Sequence, residues 1–386
     1  MPRTRRQFMA AAAALPASLF GTDDRIASVK ATANALVAKP PVAPKFTSDD
    51  DPARSRWFGP FAQIPSAILV EIRTASGLTG YGLGGGGGAA VYIIDHHLRD
   101  LLIGVSPANI ARIWSQLYES SSFYGRRGLP VMAISGIDLA LWDIAGKAAN
   151  KPVCELLTPG SRRKIPGYYT GTNFAWAAER GFRAFKLPVS SIGPEEGEAG
   201  LKRLEKMAAD SRRVIGAASD LMLDCLGRWT VTFTLEADRR LARYNIRWFE
   251  EPVMPDDLDG YTELCRSIRH ARIACGEHEY THYGFAELFR RKAVQIVQPD
   301  ISWSGGLTEV RKIADMALHQ SLTVAPHRGG SLYGLHLIAG TPGCNLAESF
   351  GIGENANAVM KAMTPQFEGG FFTVPDRPGF GVEGEF

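Results

Sequence analysis

Cysteine is scarce and odd in number in this chain of 386 residues: Cys154, Cys225, Cys265, Cys275 and Cys344. No two stand in a CxxC spacing, which removes the usual zinc and thiol-redox motifs. Their mainly apolar neighbours predict buried free thiols. Long apolar runs are also missing. Ala10 to Leu15 falls far short of the roughly 20 residues that span a bilayer, and no later run is read as a span, so no stable membrane insertion is expected. An excess of one charge is missing as well. There are 43 Lys and Arg against 40 Asp and Glu, and Arg3, Arg5 and Arg6 at the extreme N-terminus account for the difference of three. A nearly neutral body gives no electrostatic reason to expect nucleic acid as a partner.

What is present begins with an address. Thr4-Arg5-Arg6-Gln7-Phe8-Met9, the short apolar run and the small residues Pro16-Ala17-Ser18 resemble a twin-arginine export signal. Residues 1–22 are therefore expected to be a signal, and the mature protein to be periplasmic or otherwise extracytoplasmic. Residues 23–160 read as a small α+β capping domain. Strands are expected at Arg25–Lys30 and Ala67–Arg73, with a third before the glycine run Gly84–Gly88, then helical spacing through 91–122 and 129–150. The glycine run is read as a flexible loop near the mouth of the second domain. Residues 161–350 alternate short apolar strands with amphipathic segments. The strands fall at Lys164–Tyr169, Ala184–Leu187, Leu221–Asp224, Ile246–Phe249, Ile273–Cys275, Ile296–Gln298, Thr323–Ala325 and Cys344–Leu346. The fold class is thus α/β, a (β/α)8-type barrel behind an N-terminal α+β cap. Residues 351–386, rich in Phe, Gly and Pro, are expected to pack back on the cap.

Barrels of this kind carry their chemistry at the C-terminal ends of the strands. The polar residues found there are Lys186, Asp224, Glu250, Glu277, Asp300, His327 and Glu348. Asp224, Glu250 and Glu277 would converge as oxygen ligands, which favours a hard cation, Mg2+, with open positions for water or substrate. Glu251 follows Glu250 and by strand alternation should point the other way. Asp300 beside His327 would fix the tautomer of the imidazole and raise its basicity. His278 lies next to Glu277 and either lines the pocket or is structural; His96 and His97 read as solvated.

These residues carry a family resemblance. Asp224…Glu250-Glu251-Pro252…Gly276-Glu277…Gln298-Pro299-Asp300…Pro326-His327, with the helical segment Ile134–Lys147, resembles the enolase superfamily in its mandelate-racemase-like group. Within that group the chain is most similar to the L-rhamnonate dehydratase-like acid-sugar dehydratases, through Phe185–Pro188, Leu221–Cys225, Gly276–His278, Gln298–Thr308 and Pro378–Glu383. The resemblance implies metal ligation by the three acids, acid/base work by His327 and stabilisation of an enediolate by Glu348. A small-molecule sugar acid is the implied substrate, and a homo-oligomer is expected.

Two departures refine this. Racemases of the group carry Lys-x-Lys after the second barrel strand, whereas here Lys186-Leu187-Pro188 leaves one lysine and a proline that cannot move a proton. That favours elimination, giving a 2-keto-3-deoxy acid, over racemisation. The rhamnonate enzymes also use a histidine and an arginine from early loops; residues 31–60 hold no histidine, and Arg54 or Arg56, with Trp57, are the candidates for the arginine's role. Three other readings stand beside the dehydratase. They are a racemase or other lyase on the same fold, a non-catalytic sugar-acid binder, and an NAD-dependent oxidoreductase suggested by Gly82–Gly87 matching G-x-G-x-x-G.

Overall fold

The computed structural model describes residues 19–21, 24–33, 67–351 and 363–382. The export segment and the candidates Arg54, Arg56 and Trp57 lie outside the described residues. The chain opens with an antiparallel sheet of β1 (Ile26–Ala33), β2 (Ala67–Thr74) and β3 (Thr79–Gly85), in that order. α1 (Gly87–Ile93), α2 (Ile110–Gly125), α3 (Leu129–Ala148) and the short α4 (Val153–Leu157) follow.

The glycines of β3 are a contact surface. A Cβ on Gly80 would stand 2.2 Å from the Ala140 carbonyl oxygen, one on Gly82 2.0 Å from that of Gly136, and one on Gly84 2.5 Å from that of Met132. Every second strand residue therefore meets every fourth residue of α3, and only glycine lets the two backbones approach so closely. This corrects the flexible-loop expectation: Gly82–Gly85 is strand, paired antiparallel with β2. All three strands of this sheet pair antiparallel, so the parallel βαβ unit of a dinucleotide site is missing from it. By length and composition α3 could cross a membrane, yet 89% of its apolar window is buried inside the fold. Its acids tie the parts together. Asp143 accepts bonds from the Tyr81 N–H (3.0 Å), the Phe380 N–H (2.8 Å) and the Lys147 ammonium (2.7 Å). Asp138 accepts from the Thr308 N–H (3.0 Å) and hydroxyl (2.5 Å) on the far side of the domain boundary.

The second unit is a ring of parallel strands: β4 (Lys164–Thr170), β5 (Ala184–Pro188), β6 (Asp220–Asp224), β7 (Ile246–Glu250), β8 (Arg272–Cys275), β9 (Ile296–Val297), β10 (Thr323–Val324) and β11 (Ala347–Ser349). Each pairs with the next from β4 to β10, and β11 pairs with β4. A parallel bridge from Val324 to Cys344 brings β10 against the chain entering β11. Between strands run α5 (Phe174–Glu179), α6 (Gly197–Ile215), α7 (Val231–Leu241), α8 (Leu258–Ser267), α9 (Thr281–Arg290), α10 (Gly306–His319) and α11 (Leu332–Gly340). The eighth strand lies at 347–349 rather than 344–346. Cys344 stands opposite Val324 as a lone bridge, and Glu348 sits within the strand instead of just past it. All five cysteines are unpaired.

Inside the ring, Tyr168, Ala184, Met222, Trp248, Ala274, Ile296 and Ala325 form one packed layer, with Leu346 against it. Large residues on β4 and β7 alternate with alanines on β5, β8 and the β10 end, which fills a tapering space without voids. Beyond the barrel, β12 (Gln366–Glu368) and β13 (Phe371–Thr373) form a hairpin whose second strand pairs antiparallel with β4. The tail then turns to the cap, where Gly379 bridges Pro152 and the Phe380 N–H reaches Asp143.

Gly82→Ala should lower stability by about 3 kcal/mol, because the clash is with backbone that cannot rotate away. Gly88→Ala, whose Cβ would meet nothing within 4 Å, is the control. Equal thermal midpoints for the two variants would show that the β3–α3 approach is not tight.

Candidate active site

The site follows from the two-residue repeat of a strand. Side chains two apart point to the same side, so residues two positions beyond the packed layer also face the barrel axis, nearer its mouth. Those residues are Thr170, Lys186, Asp224, Glu250, Gln298, His327 and Glu348, after Tyr168, Ala184, Met222, Trp248, Ile296, Ala325 and Leu346 respectively. On β8 the same place is Gly276, at φ 130°, and Glu277 follows it. Six of the seven catalytic and metal candidates named from the sequence thus lie in or next to one layer. Gln298 and Thr170 belong to it too and went unremarked as site residues; their positions in the two-residue repeat were the available signal.

Lys186 is the hub. It is 1% exposed, and its ammonium donates to Glu250, lies 2.7 Å from Glu348 Oε1 and 3.6 Å from Asp224 Oδ2. Burial opposes its charge, but these three acids outweigh that and hold its pKa well above the ordinary value. Glu348 also accepts from the Thr170 hydroxyl (2.6 Å) and the Arg328 N–H (2.9 Å). Burial opposes its ionisation, yet Lys186 and His327 bring its pKa down to about 2. Glu250 accepts a 2.6 Å bond from the Gln298 amide and one from Trp248 at 3.2 Å.

His327 is held from behind. Its Nδ1 lies 2.7 Å from Asp300 Oδ2, while the other Asp300 oxygen accepts from the Ser302 N–H and hydroxyl. That leaves Nε2 facing inward, 3.7 Å from Glu277 and 3.9 Å from Glu348. Burial works against the imidazolium, but Glu277, the Asp300 bond and Glu348 raise the pKa of His327 above its ordinary value. The Trp303 ring packs 5.3 Å from that of His327 and 5.8 Å from that of His278. Glu251 does not point away as strand alternation predicts. It leaves the strand at φ 40°, which ends the alternation, and its carboxylate meets His278 Nδ1 at 2.6 Å. His278 is thereby fixed beside Glu277, with burial opposing and Glu251 raising its pKa to about 9. His97 meets the Tyr124 hydroxyl at 2.7 Å on the cap, apart from this site.

A family model described as enolase C-terminal domain-like matches residues 172–385, and one for the mandelate racemase/muconate lactonizing enzyme N-terminal domain matches 62–158. The chain belongs to the enolase superfamily. Its mandelate racemase/muconate lactonizing enzyme group is the one that both domains fit. A Caldivirga maquilingensis protein carrying the provisional name L-rhamnonate dehydratase is 33% identical over 83% of this chain and 81% of its own. The solved rhamnonate dehydratase of Gibberella zeae complexed with Mg superposes with a TM-score of 0.82 at 30% identity, over 95% of each chain. The 3,6-anhydro-D-galactonate cycloisomerase of Zobellia galactanivorans gives 0.77 at 30% identity, over 93% of this chain and 96% of that one.

The enolase-superfamily frame raises the question of which acids could hold a cation. Glu251, Glu277 and His278 form the tightest group, with donor atoms within 4.8 Å of one another, but Glu251 and His278 already satisfy each other. Asp224, Glu250 and Glu277 fit better. Asp224 Oδ1 is buried with no hydrogen-bond partner, and Glu277 has only the two histidines at 3.7 Å. Burial first, and the neighbouring acids with it, push Asp224 up to about 7 and Glu277 up to about 8, against the pull of Lys186 and His327 respectively. Uncommitted, crowded carboxylate oxygens are what a hard divalent cation requires.

Lys186→Met should destabilise the metal-free protein by roughly 3–5 kcal/mol, since it strands three buried carboxylates. A thermal midpoint unchanged in EDTA would show that the ammonium does not hold the strands together.

Proposed function

We propose that the protein is a Mg2+-dependent hydro-lyase that removes water from a sugar acid to give a 2-keto-3-deoxy acid. The observation that carries this is the prepared base among the described residues: His327 is backed by Asp300 and turned toward the buried acids Glu277 and Glu348. Position 188, where the resemblance puts a racemase's second lysine, is proline at the end of β5. The likeness to relatives named as rhamnonate dehydratases supports the same class.

Asp224, Glu250 and Glu277 are the proposed ligands, and bound Mg2+ supplies Lewis-acid charge to the substrate carboxylate. His327 Nε2 takes the C2 proton, and Asp300 stabilises the imidazolium that forms. Lys186 meets the charge that develops on the carboxylate as the enediolate appears, and the ionised Glu348, 2.7 Å from the ammonium, holds that ammonium in position. The C3–O bond then breaks. His327 returns the proton to the departing hydroxyl, water leaves, and the enol relaxes to the 2-keto acid. The sugar's stereochemistry would be read by groups around this centre, His278 among those described, with Arg54, Arg56 and Trp57 as further candidates.

The twin-arginine segment Thr4–Met9 supports export to the periplasm, and the exposed Phe123 and Tyr124 at the end of α2 support a homo-oligomer. Cell fractionation should find the full chain outside the cytoplasm and the Arg5→Lys/Arg6→Lys variant retained within it. Equal distribution of both would discard the export reading, as light scattering at monomer mass would discard the oligomer.

The deciding experiment is a screen of the purified protein with Mg2+ against aldonic and uronic acids, reading 2-keto-3-deoxy products. Product from one or a few acids should vanish in EDTA and with His327→Ala. Asp300→Asn should lower kcat by roughly 10²–10⁴-fold with the fold retained, as expected for a group that orients a base. Deuterium exchange at C2 with no loss of water would replace the dehydratase with an epimerase on this scaffold.

A further inference from the structure

Arg328 directly follows His327 and has a backbone that resists a side chain. Its φ is 53°, in the left-handed region where glycine or asparagine is the ordinary occupant. The conformation is pinned from both ends. The Arg328 N–H donates to Glu348 at 2.9 Å, and the Ser331 N–H donates to the Arg328 carbonyl at 2.9 Å. A long side chain at such a position costs stability.

Where it goes is specific. The guanidinium lies over the Trp303 ring, 4.8 Å from its centroid, and Trp303 in turn packs against His327 and His278. Stacking uses the face of the guanidinium and leaves the in-plane N–H donors at its edge available, the arrangement suited to a carboxylate. Among the described residues no acid forms an ion pair with it. Asp300 is nearby, but its oxygens are committed to His327 and Ser302. Lys186 is the contrast: three acids already meet its charge. Arg328 also lines a cavity with Glu348 and Phe350 whose other walls include Trp176, Phe182 and Phe372 rather than His327 or Lys186, and the Phe350 ring lies 6.0 Å from that of His327. One cation is thus committed within the floor of the site, and a second, with no ion-pair partner among the described residues, stands one Trp ring away from the base.

We infer that Arg328, braced by Trp303, binds a second carboxylate at the end of the substrate remote from C1, so that the preferred substrates are sugar diacids. This deepens the acid-sugar reading above and rests on it. Polyol hydroxyls alone would be served by neutral hydrogen-bonding groups, without a cation.

The test is calorimetry on the full-length protein with Mg2+, using configurationally matched pairs: gluconate with glucarate, galactonate with galactarate. The wild type should bind the better diacid at least about tenfold more tightly than its monoacid partner, and in Arg328→Gly that ratio should fall to about one. Glycine suits the left-handed backbone, so loss of folding does not obscure the result; Arg328→Gln checks that charge rather than length is responsible. Equal binding of both members of every pair, an undiminished preference in Arg328→Gly, or no diacid bound at all would each overturn the inference. Conversion of monoacids alone to 2-keto-3-deoxy products would overturn it while leaving the dehydratase intact. Diacids bound through Arg328 without loss of water would uphold it and remove the dehydratase.

Discussion

The buried ammonium of Lys186 is the constraint on which the site depends. It stands on β5 and reaches acids on β6, β7 and β11, so one charge links strands from both sides of the ring. In a dry interior such a cluster is held only while every member is met. The Gln298 amide and the Arg328 N–H meet the second oxygens of Glu250 and Glu348, and the Thr170 hydroxyl shares the Glu348 oxygen that Lys186 reaches. Asp224 keeps one buried oxygen without a partner, Glu277 faces His278 and His327 only at 3.7 Å, and both acids lie where a cation would reduce the repulsion.

One helix carries much of the fastening between the cap and this barrel, beside the bonds from Trp114 to the Gly305 carbonyl and from Tyr333 to the Tyr81 carbonyl. α3 takes the glycine face of β3 on one side and presents Asp138 to Thr308, at the start of α10, on another. Asp143, lower on the same helix, collects the sheet, Lys147 and the chain's tail. Both acids are fully buried, and burial raises their pKa values, that of Asp138 to about 7, against the bonds that favour the ions. An apolar helix with two such acids is a core element with fixed attachment points, which is why its membrane-like composition misleads.

Much of this was legible from residue order because the barrel's two-residue repeat is written directly in the chain. Leu221-Met222-Leu223-Asp224 and Ile246-Arg247-Trp248-Phe249-Glu250 show both the packed layer and the polar residue above it. Other features depend on backbone turns that no periodicity reports. Glu251 turns back toward His278 at a left-handed φ, and Arg328 sits at another. The glycines of β3 look like a loop in isolation, since a strand without side chains carries no alternation to read. Their meaning lies in the backbone of a helix further along the chain, at Met132, Gly136 and Ala140. Residue order alone puts the eighth strand three residues early, because Cys344-Asn345-Leu346 and Ala347-Glu348-Ser349 are both short runs that mix apolar and polar residues, and only pairing with β4 distinguishes them.

The carboxylates around His327 also explain how one residue would serve both halves of an elimination. Glu277, Asp300 and Glu348 favour its charged form, which makes neutral His327 a strong acceptor for a proton at C2. The same acids then keep the proton on Nε2 instead of releasing it to solvent, for the ring is 6% exposed and Asp300 fixes its orientation. In the proposed reaction the hydroxyl departing from the adjacent carbon becomes more basic as its bond to carbon breaks, which would make it the acceptor of that proton. A second base across the substrate would offer the enediolate another proton and a route to the inverted acid. With proline at 188 and Lys186 bound within its own cluster, elimination is the outcome this arrangement favours.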